Sequence, residues 1–373
     1  MQVLWVLEEA DRPGGVESVV AALDAGLHER GGASAVLSWL PASVRASTGT
    51  VGWFRERAAQ AVARAKAARA TAGLLERRMR EEPDLVVMLD PGSLDVARHL
   101  RGHPQWGIHV HWSPDLILRP WRHLEETVPR PLLPIVKARL ATVARRNRAV
   151  LVSAPFVVTL TPSHSAALRP LAKQVHEIPN PATFGATRRE RAAERPVRVA
   201  YVGRLSPEKD PGLLLDALDA AGGSLDGVEV VIAGAGPSEA GLRARAAGRP
   251  GLTFLGWVSD PWAVLVESDV LVVPSRTEGV PLVIVEALAA GCSVVATDSS
   301  SGVRDVLADG RLGRIVPVGD PTALRAALEA AVSDVRAGRN PDAALLDDLR
   351  RRHDPATVLD RWVEMLGAES ARA

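Results

Sequence analysis

A chain of 373 residues, 47% of them hydrophobic, is long enough to build two domains with cores of their own. Its formal charge of +1 argues against a nucleic-acid partner, and its one cysteine, Cys292, excludes an internal disulfide. No apolar stretch approaches the roughly 20 residues of a membrane-spanning helix. Met1 leads into a strand-like run rather than an export signal, so a cytoplasmic protein is expected.

Charge is uneven along the chain. Residues 1–180 hold 23 Lys+Arg against 17 Asp+Glu, and the remainder holds 22 against 27. A basic first half suits an anionic acceptor or a membrane surface, and an arginine-rich solvated face equally.

The first strand-like run, 3–7, is followed by Asp11-Arg12-Pro13-Gly14-Gly15-Val16-Glu17 and an apolar helix from about Ser18. Gly14 and Gly15 let backbone approach a ligand with no Cβ in the way. Further strands are expected at 34–40, 85–89, 107–111 and 157–160. The Ala/Arg-rich segment 58–70 and the turns after it (Arg64, Lys66, Arg69, Arg77, Arg78, Arg80) predict an exposed helix. Residues 131–148, with Lys137, Arg139, Arg145, Arg146 and Arg148, predict another. Basic helices with an apolar face can lie on anionic membranes. A solvated helix with a core-facing stripe gives the same pattern.

In Gly107-Ile108-His109-Val110-His111-Trp112-Ser113, strand alternation puts His109 and His111 on one face. A metal pair needing a further ligand, a ligand contact and a buried hydrogen-bonded histidine all fit. Trp112 suits a sugar face or a core. Residues 188–196, polar and ending in Pro196, read as a linker. The expected domains are 1–187 and 188–354, with a helix at 355–368 packing back on the first.

The second half has strand-like runs at 197–202, 228–233, 252–254, 270–273, 293–297 and 314–316. Strands alternating with helices predict an α/β protein with doubly wound parallel sheets. After the first of these runs comes Gly203-Arg204-Leu205-Ser206-Pro207-Glu208-Lys209-Asp210. A helix follows, with Asp210 as N-cap and Pro211 in its first position. Arg204 offers a planar fork and Lys209 a point charge, and both suit a diphosphate. After 270–273 comes the block from Ser275 to Gly291, with Glu278, Gly279-Val280-Pro281-Leu282-Val283 and Glu286. Pro281 suits the first helical position, and the free amides of that helix end favour an anion. Glu278 in the loop and Glu286 two turns or so into the helix can each accept two hydroxyl hydrogen bonds, as a ribose or hexose would offer. No Asp-x-Asp occurs in the chain.

The block from Ser275 to Gly291, with Gly203-Arg204-Leu205 and Lys209 upstream, resembles the E-x7-E retaining glycosyltransferases of family 4. That family has the GT-B fold, two Rossmann-like doubly wound domains facing across a cleft. The resemblance covers nearly the whole chain and is strongest over 197–320. It implies transfer of a hexosyl unit from a nucleotide diphosphate sugar to a hydroxyl, with retention and without a metal. The acceptor would be a glycan, a lipid-linked group or a small molecule, in cell-surface glycan or glycoconjugate synthesis. Work at the inner face of the membrane, through the basic first half, goes with lipid-linked acceptors. The same resemblance implies that Arg204 and Lys209 bind the diphosphate, Glu278 the sugar hydroxyls and Glu286 the ribose. It implies a sugar or acceptor contact for His111 and donor contacts for Gly14, Gly15, Val258, Gly279, Val280, Leu282 and Val283. Two positions depart from the family pattern. Pro181 follows Ile178-Pro179-Asn180 where Gly is usual, and Ser301 replaces one glycine of a Gly-Gly pair in Asp298-Ser299-Ser300-Ser301-Gly302. Other classes of function are an inactive glycosyltransferase-like partner subunit, a sugar-nucleotide-binding protein and an epimerase on the same fold.

Overall fold

The computed structural model describes residues 2–8, 15–40, 53–100, 102–119, 131–185, 195–219, 225, 227–339 and 341–372. The chain divides into two compact units, Met1–Pro181 with Val358–Ala373 and Ala182–Thr357. It passes from the first to the second just after the Ile178-Pro179-Asn180-Pro181 turn. Most of the expected linker, 188–194, lies outside the described residues.

The first unit has strands β1 (Gln2–Leu7), β2 (Ala33–Ser38), β3 (Leu85–Leu89), β4 (Trp106–Val110), β5 (Phe156–Thr159) and β6 (Val175–Glu177). Its helices are α1 (Gly15–Glu29), α2 (Trp53–Glu81), α3 (Leu94–Ala97), α4 (Pro114–Leu118), α5 (Leu133–Ser153) and α6 (Pro162–Leu168). All strands are parallel, in the order β2-β1-β3-β4-β5-β6. Every residue of β3 and β4 is buried, as parallel strands covered on both faces must be.

The second unit has β7 (Val197–Val202), β8 (Val228–Ala233), β9 (Leu252–Gly256), β10 (Val270–Val273), β11 (Ser293–Thr297) and β12 (Arg314–Val316). Its helices are α7 (Pro211–Asp219), α8 (Glu239–Arg245), α9 (Pro261–Val266), α10 (Leu282–Ala289), α11 (Ser301–Val306), α12 (Pro321–Arg336) and α13 (Ala343–His353). The strand order, β12-β11-β10-β7-β8-β9, is that of dinucleotide-binding Rossmann domains. Polar caps start several of these helices. Asp260, Ser300 and Asp320 accept from the Ala263, Val303 and Ala323 amides at 3.3, 3.2 and 2.9 Å.

Several expectations need correction. The first helix begins at Gly15, not Ser18, and β2 stops at Ser38. The three-residue β6 had no counterpart in the sequence reading, because Val-His-Glu is short, half-buried and at an edge. His111 lies just beyond β4 rather than ending it. The first basic segment is one helix, α2, and is not simply exposed. Ala68, Ala72, Leu75 and Met79 recur at helical spacing and are buried in the core. Cys292 is buried, as a small core residue, with its thiol toward the Leu265 carbonyl at 3.2 Å.

The last helix, α14 (Pro355–Ser370), returns to the first unit from Val358 onward. Trp362 is completely buried there, edge-on to Trp5 at 5.1 Å and to His109 at 4.8 Å between ring centroids. His176 Nε2 lies 3.0 Å from the buried carboxylate of Glu369 and ties α14 to β6. Trp362→Ala should therefore destabilise the first unit by about 3–5 kcal/mol, the range for emptying a buried aromatic site. Denaturant unfolding measures it, and a loss below 1 kcal/mol would mean that α14 is not part of that core.

Candidate active site

In the second unit the strand order reverses between β7 and β10, which are hydrogen-bonded neighbours although two strands separate them in the chain. The crevice beyond the carboxyl ends of two such strands is where open α/β sheets bind ligands. The 203–210 loop leaves β7, and the 274–281 loop leaves β10. Lys209 and Glu278, 69 residues apart, meet there. The ammonium lies 2.7 Å from both carboxylate oxygens. Ser275 Oγ donates to Glu278 Oε1 at 2.6 Å. Glu278 is only 7% exposed, and these partners satisfy both of its oxygens.

Arg204 is exposed on the same loop. Burial would raise the Glu208 carboxyl, but the Ser206 side chain and the charges of Arg204 and Lys209 hold it below its ordinary range. Beneath the loop the Tyr201 hydroxyl donates to the Arg204 carbonyl at 2.7 Å. Burial, and then the carboxylates of Glu278, Glu208 and Asp210, push the Tyr201 hydroxyl above its usual range.

The loop after β8, Gly234-Ala235-Gly236-Pro237, presses against this loop from the side. A Cβ on Gly234 (φ 141°) would lie 1.8 Å from the Gly203 carbonyl oxygen, and one on Gly236 (φ 159°) 2.4 Å from that of Leu205. The Gly-x-Gly-Pro turn signal could have found this pair, which sequence reasoning missed.

Gly279 and Val280 sit under the start of α11. Ser300 Oγ donates to the Gly279 carbonyl at 2.8 Å, and a Cβ on Gly302 would lie 2.2 Å from that same oxygen. The substituted position, Ser301, thus leaves intact the glycine that makes the close approach. Pro281 is the N-cap of α10 and not its first residue, a one-residue correction. Leu282 and Val283, half-buried, form the first turn. Glu286 is then little more than one turn into α10, not two. Burial pushes its carboxyl up, opposed by a hydrogen bond from the Thr183 amide. Val258 is half-buried on the loop after β9. Asp210 precedes α7 and its carboxylate takes the Leu213 amide as an N-cap does, although its φ of 42° is not the extended backbone usual at that position.

His111 belongs to the first unit. It and His109 are buried, with ring centroids 3.7 Å apart, and among the described residues no hydrogen bond reaches either ring. Among the described residues no three His, Cys, Asp or Glu side chains gather as metal ligands, so the pair gains no third ligand there. Trp112 is 43% exposed, which excludes the core reading. Gly14 lies outside the described residues. Gly15 opens α1 with free space where a Cβ would be.

Parallel sheets in both units, with the second in Rossmann order, agree with the GT-B fold class, which the likeness to solved glycosyltransferase structures shows. Residues 196–334 match the family model of Glycosyl transferases group 1. The chain is 41% identical over 137 residues to a phosphatidyl-myo-inositol mannosyltransferase of Mycobacterium leprae, covering 35% of this chain and 36% of the relative. It is 34% identical over 198 residues to a D-inositol 3-phosphate glycosyltransferase of Geodermatophilus obscurus, covering 49% and 42%. The chain thus spans less than half the length of these curated relatives. In fold it is similar to sucrose-phosphate synthase of Thermosynechococcus elongatus over 100% of both chains, with a TM-score of 0.75 and 18% identity.

Burial depresses both histidines, His111 to about 3 and His109 well below its ordinary 6.5 with the His111 charge adding to the effect. The unfolded chain therefore takes up these protons first as pH falls. Their contribution to stability is complete above about 6.5 and is lost as pH drops toward 3. His109→Phe should lessen this loss, so the variant gains on the native protein as pH falls. Thermal unfolding across that window checks the sign, and parallel curves for the two proteins would contradict it.

Proposed function

We propose that this chain is a retaining glycosyltransferase that moves a hexosyl unit from a nucleotide diphosphate sugar to a hydroxyl without a metal ion. The observation that carries the reading is the Lys209–Glu278 contact at the β7/β10 switch point, inside the region that matches the group 1 family. In this reading Arg204 and Lys209 take the diphosphate, helped by the free amides at the start of α10. Glu278 accepts from the sugar hydroxyls and Glu286 from the ribose. Gly279, Val280, Leu282 and Val283 wrap the donor, Val258 lies by the base, and Gly14, Gly15 and His111 serve from the first unit. The bond from the anomeric carbon to the leaving phosphate oxygen breaks and a bond to the acceptor oxygen forms on the same face. The acceptor proton passes to the departing diphosphate. Cations placed at that oxygen stabilise the charge that develops there.

The relatives' names make a mannosyl donor and an inositol-bearing acceptor the first pair to try. Peripheral membrane contact is part of the proposal. Helix α5 carries Lys137, Arg139, Arg145, Arg146 and Arg148 with no carboxylate, and Ile135 and Val143 are exposed on it at 68% and 39%. No helix among the described residues is long and apolar enough to cross a membrane. The protein should sediment with phosphatidylglycerol vesicles and release them in high salt. Equal recovery with neutral vesicles would remove the electrostatic part.

Release of nucleoside diphosphate from a panel of nucleotide sugars tests the chemistry. Lys209→Ala and Glu278→Ala should each cost on the order of 10²–10³ in rate while the protein stays folded, with no effect of a chelator on the native enzyme. A protein that binds a nucleotide sugar but turns none over with any acceptor would favour the inactive-subunit reading.

A further inference from the structure

Asp210 occupies a backbone conformation, φ 42°, in which glycine is the default residue and Asp or Asn the L residues best tolerated. The side chain kept there is not idle. Its Oδ2 forms an ion pair with Arg276 at 2.8 Å from Nε, and the carboxylate also takes the Leu213 amide at the start of α7. The Arg276 amide in turn donates to the Glu208 carbonyl at 2.9 Å. Asp210 directly follows Lys209, and Arg276 stands two residues before Glu278. The two links made by Arg276 therefore join the loop from β7 to the loop from β10 on either side of the Lys209–Glu278 contact. The Asp210 carboxylate is largely withdrawn from water at 17% exposure while Arg276 is 45% exposed, so the pair is shielded on the carboxylate side alone.

We infer that Asp210 and Arg276 are positioning residues that hold the Lys209 loop in register with the Glu278 loop and so fix the ammonium for the donor's diphosphate. The inference rests on the proposed function and adds to it two residues that touch neither sugar nor phosphate. A purely conformational role for Asp210 makes the opposite forecast. If only the left-handed turn mattered, glycine would serve at least as well, because it adopts that φ without cost.

Asp210→Gly, Asp210→Asn, Arg276→Ala, Arg276→Lys and the Asp210→Asn/Arg276→Ala double variant separate the two accounts. Isothermal titration with UDP and GDP, and with UMP and GMP, gives the binding readout, and nucleoside diphosphate release gives the rate. Asp210→Gly should leave the thermal midpoint close to the native value, the relieved backbone angle offsetting the lost cap to Leu213. It should nevertheless lose on the order of 10–100-fold in affinity for the diphosphate that the native protein binds, the usual cost of a lost orienting contact. Monophosphate affinity should hold. The double variant should be no worse than the poorer single one, because the residues act as one pair. Arg276→Lys should recover part of the loss. Diphosphate affinity and rate equal to the native protein's in Asp210→Gly would overturn the inference, as would equal losses for mono- and diphosphate. Failure of the native protein to bind either diphosphate is a separate outcome and sinks the proposed function with it.

Discussion

One ammonium held against one nearly buried carboxylate governs the second unit. Glu278 is 7% exposed, and Lys209 meets both its oxygens while Ser275 meets one. The contact leaves capacity on both sides. An ammonium has three donors, and two are engaged. A carboxylate has about four acceptor positions, and three are engaged. One donor can therefore face a phosphate oxygen and one acceptor position a hydroxyl without breaking the pair. A donor sugar joined to a diphosphate presents those two groups side by side.

The pair exists because of sheet topology. β10 returns to lie beside β7 rather than beyond β9, so loops 69 residues apart share one strand end. The first unit has its own reversal, between β1 and β3. Glu8 follows β1 and Asp90 follows β3, and Arg64 reaches in from α2 to pair with Glu8 and with Asp95 at 2.8 Å. Burial, more than the nearby Glu8 charge, raises the Asp90 carboxyl to about 6. Polar groups thus collect at the strand tips beside both reversals, where helices diverge and leave the sheet edge open.

The fold was largely legible in the sequence because buried parallel strands such as β3 and β10 read as continuous apolar runs, and every strand but β6 held enough apolar residues to be located. The residue types at the candidate site were legible too, since loops after strands carry few constraints besides those of the site. Their pairing was not. Nothing local to residues 203–210 says that Lys209 will meet Glu278, because that depends on strand order. Asp210 was half legible for a related reason. An Asp before a Pro-led helix reads as a cap, and its carboxylate does take the Leu213 amide, but only the backbone angle and a distant arginine reveal its other role. The glycines at 234 and 236 left a signal that a search for charged groups passed over.

These glycines explain how a loop can hold charges still. Gly203 and Leu205 have neighbouring backbone where side chains would ordinarily stand, and Tyr201 pins the Arg204 carbonyl from below. On the other side Ser300 and Gly302 bring the start of α11 onto Gly279. Both charged loops are thus packed backbone to backbone against rigid elements, and little loop entropy remains to be lost when an anion arrives. Interactions already in place need no reorganisation as charge develops on a leaving group, which is the condition under which fixed donors are most effective. Close packing by residues without side chains is accordingly as much a part of the chemistry as the cations it supports.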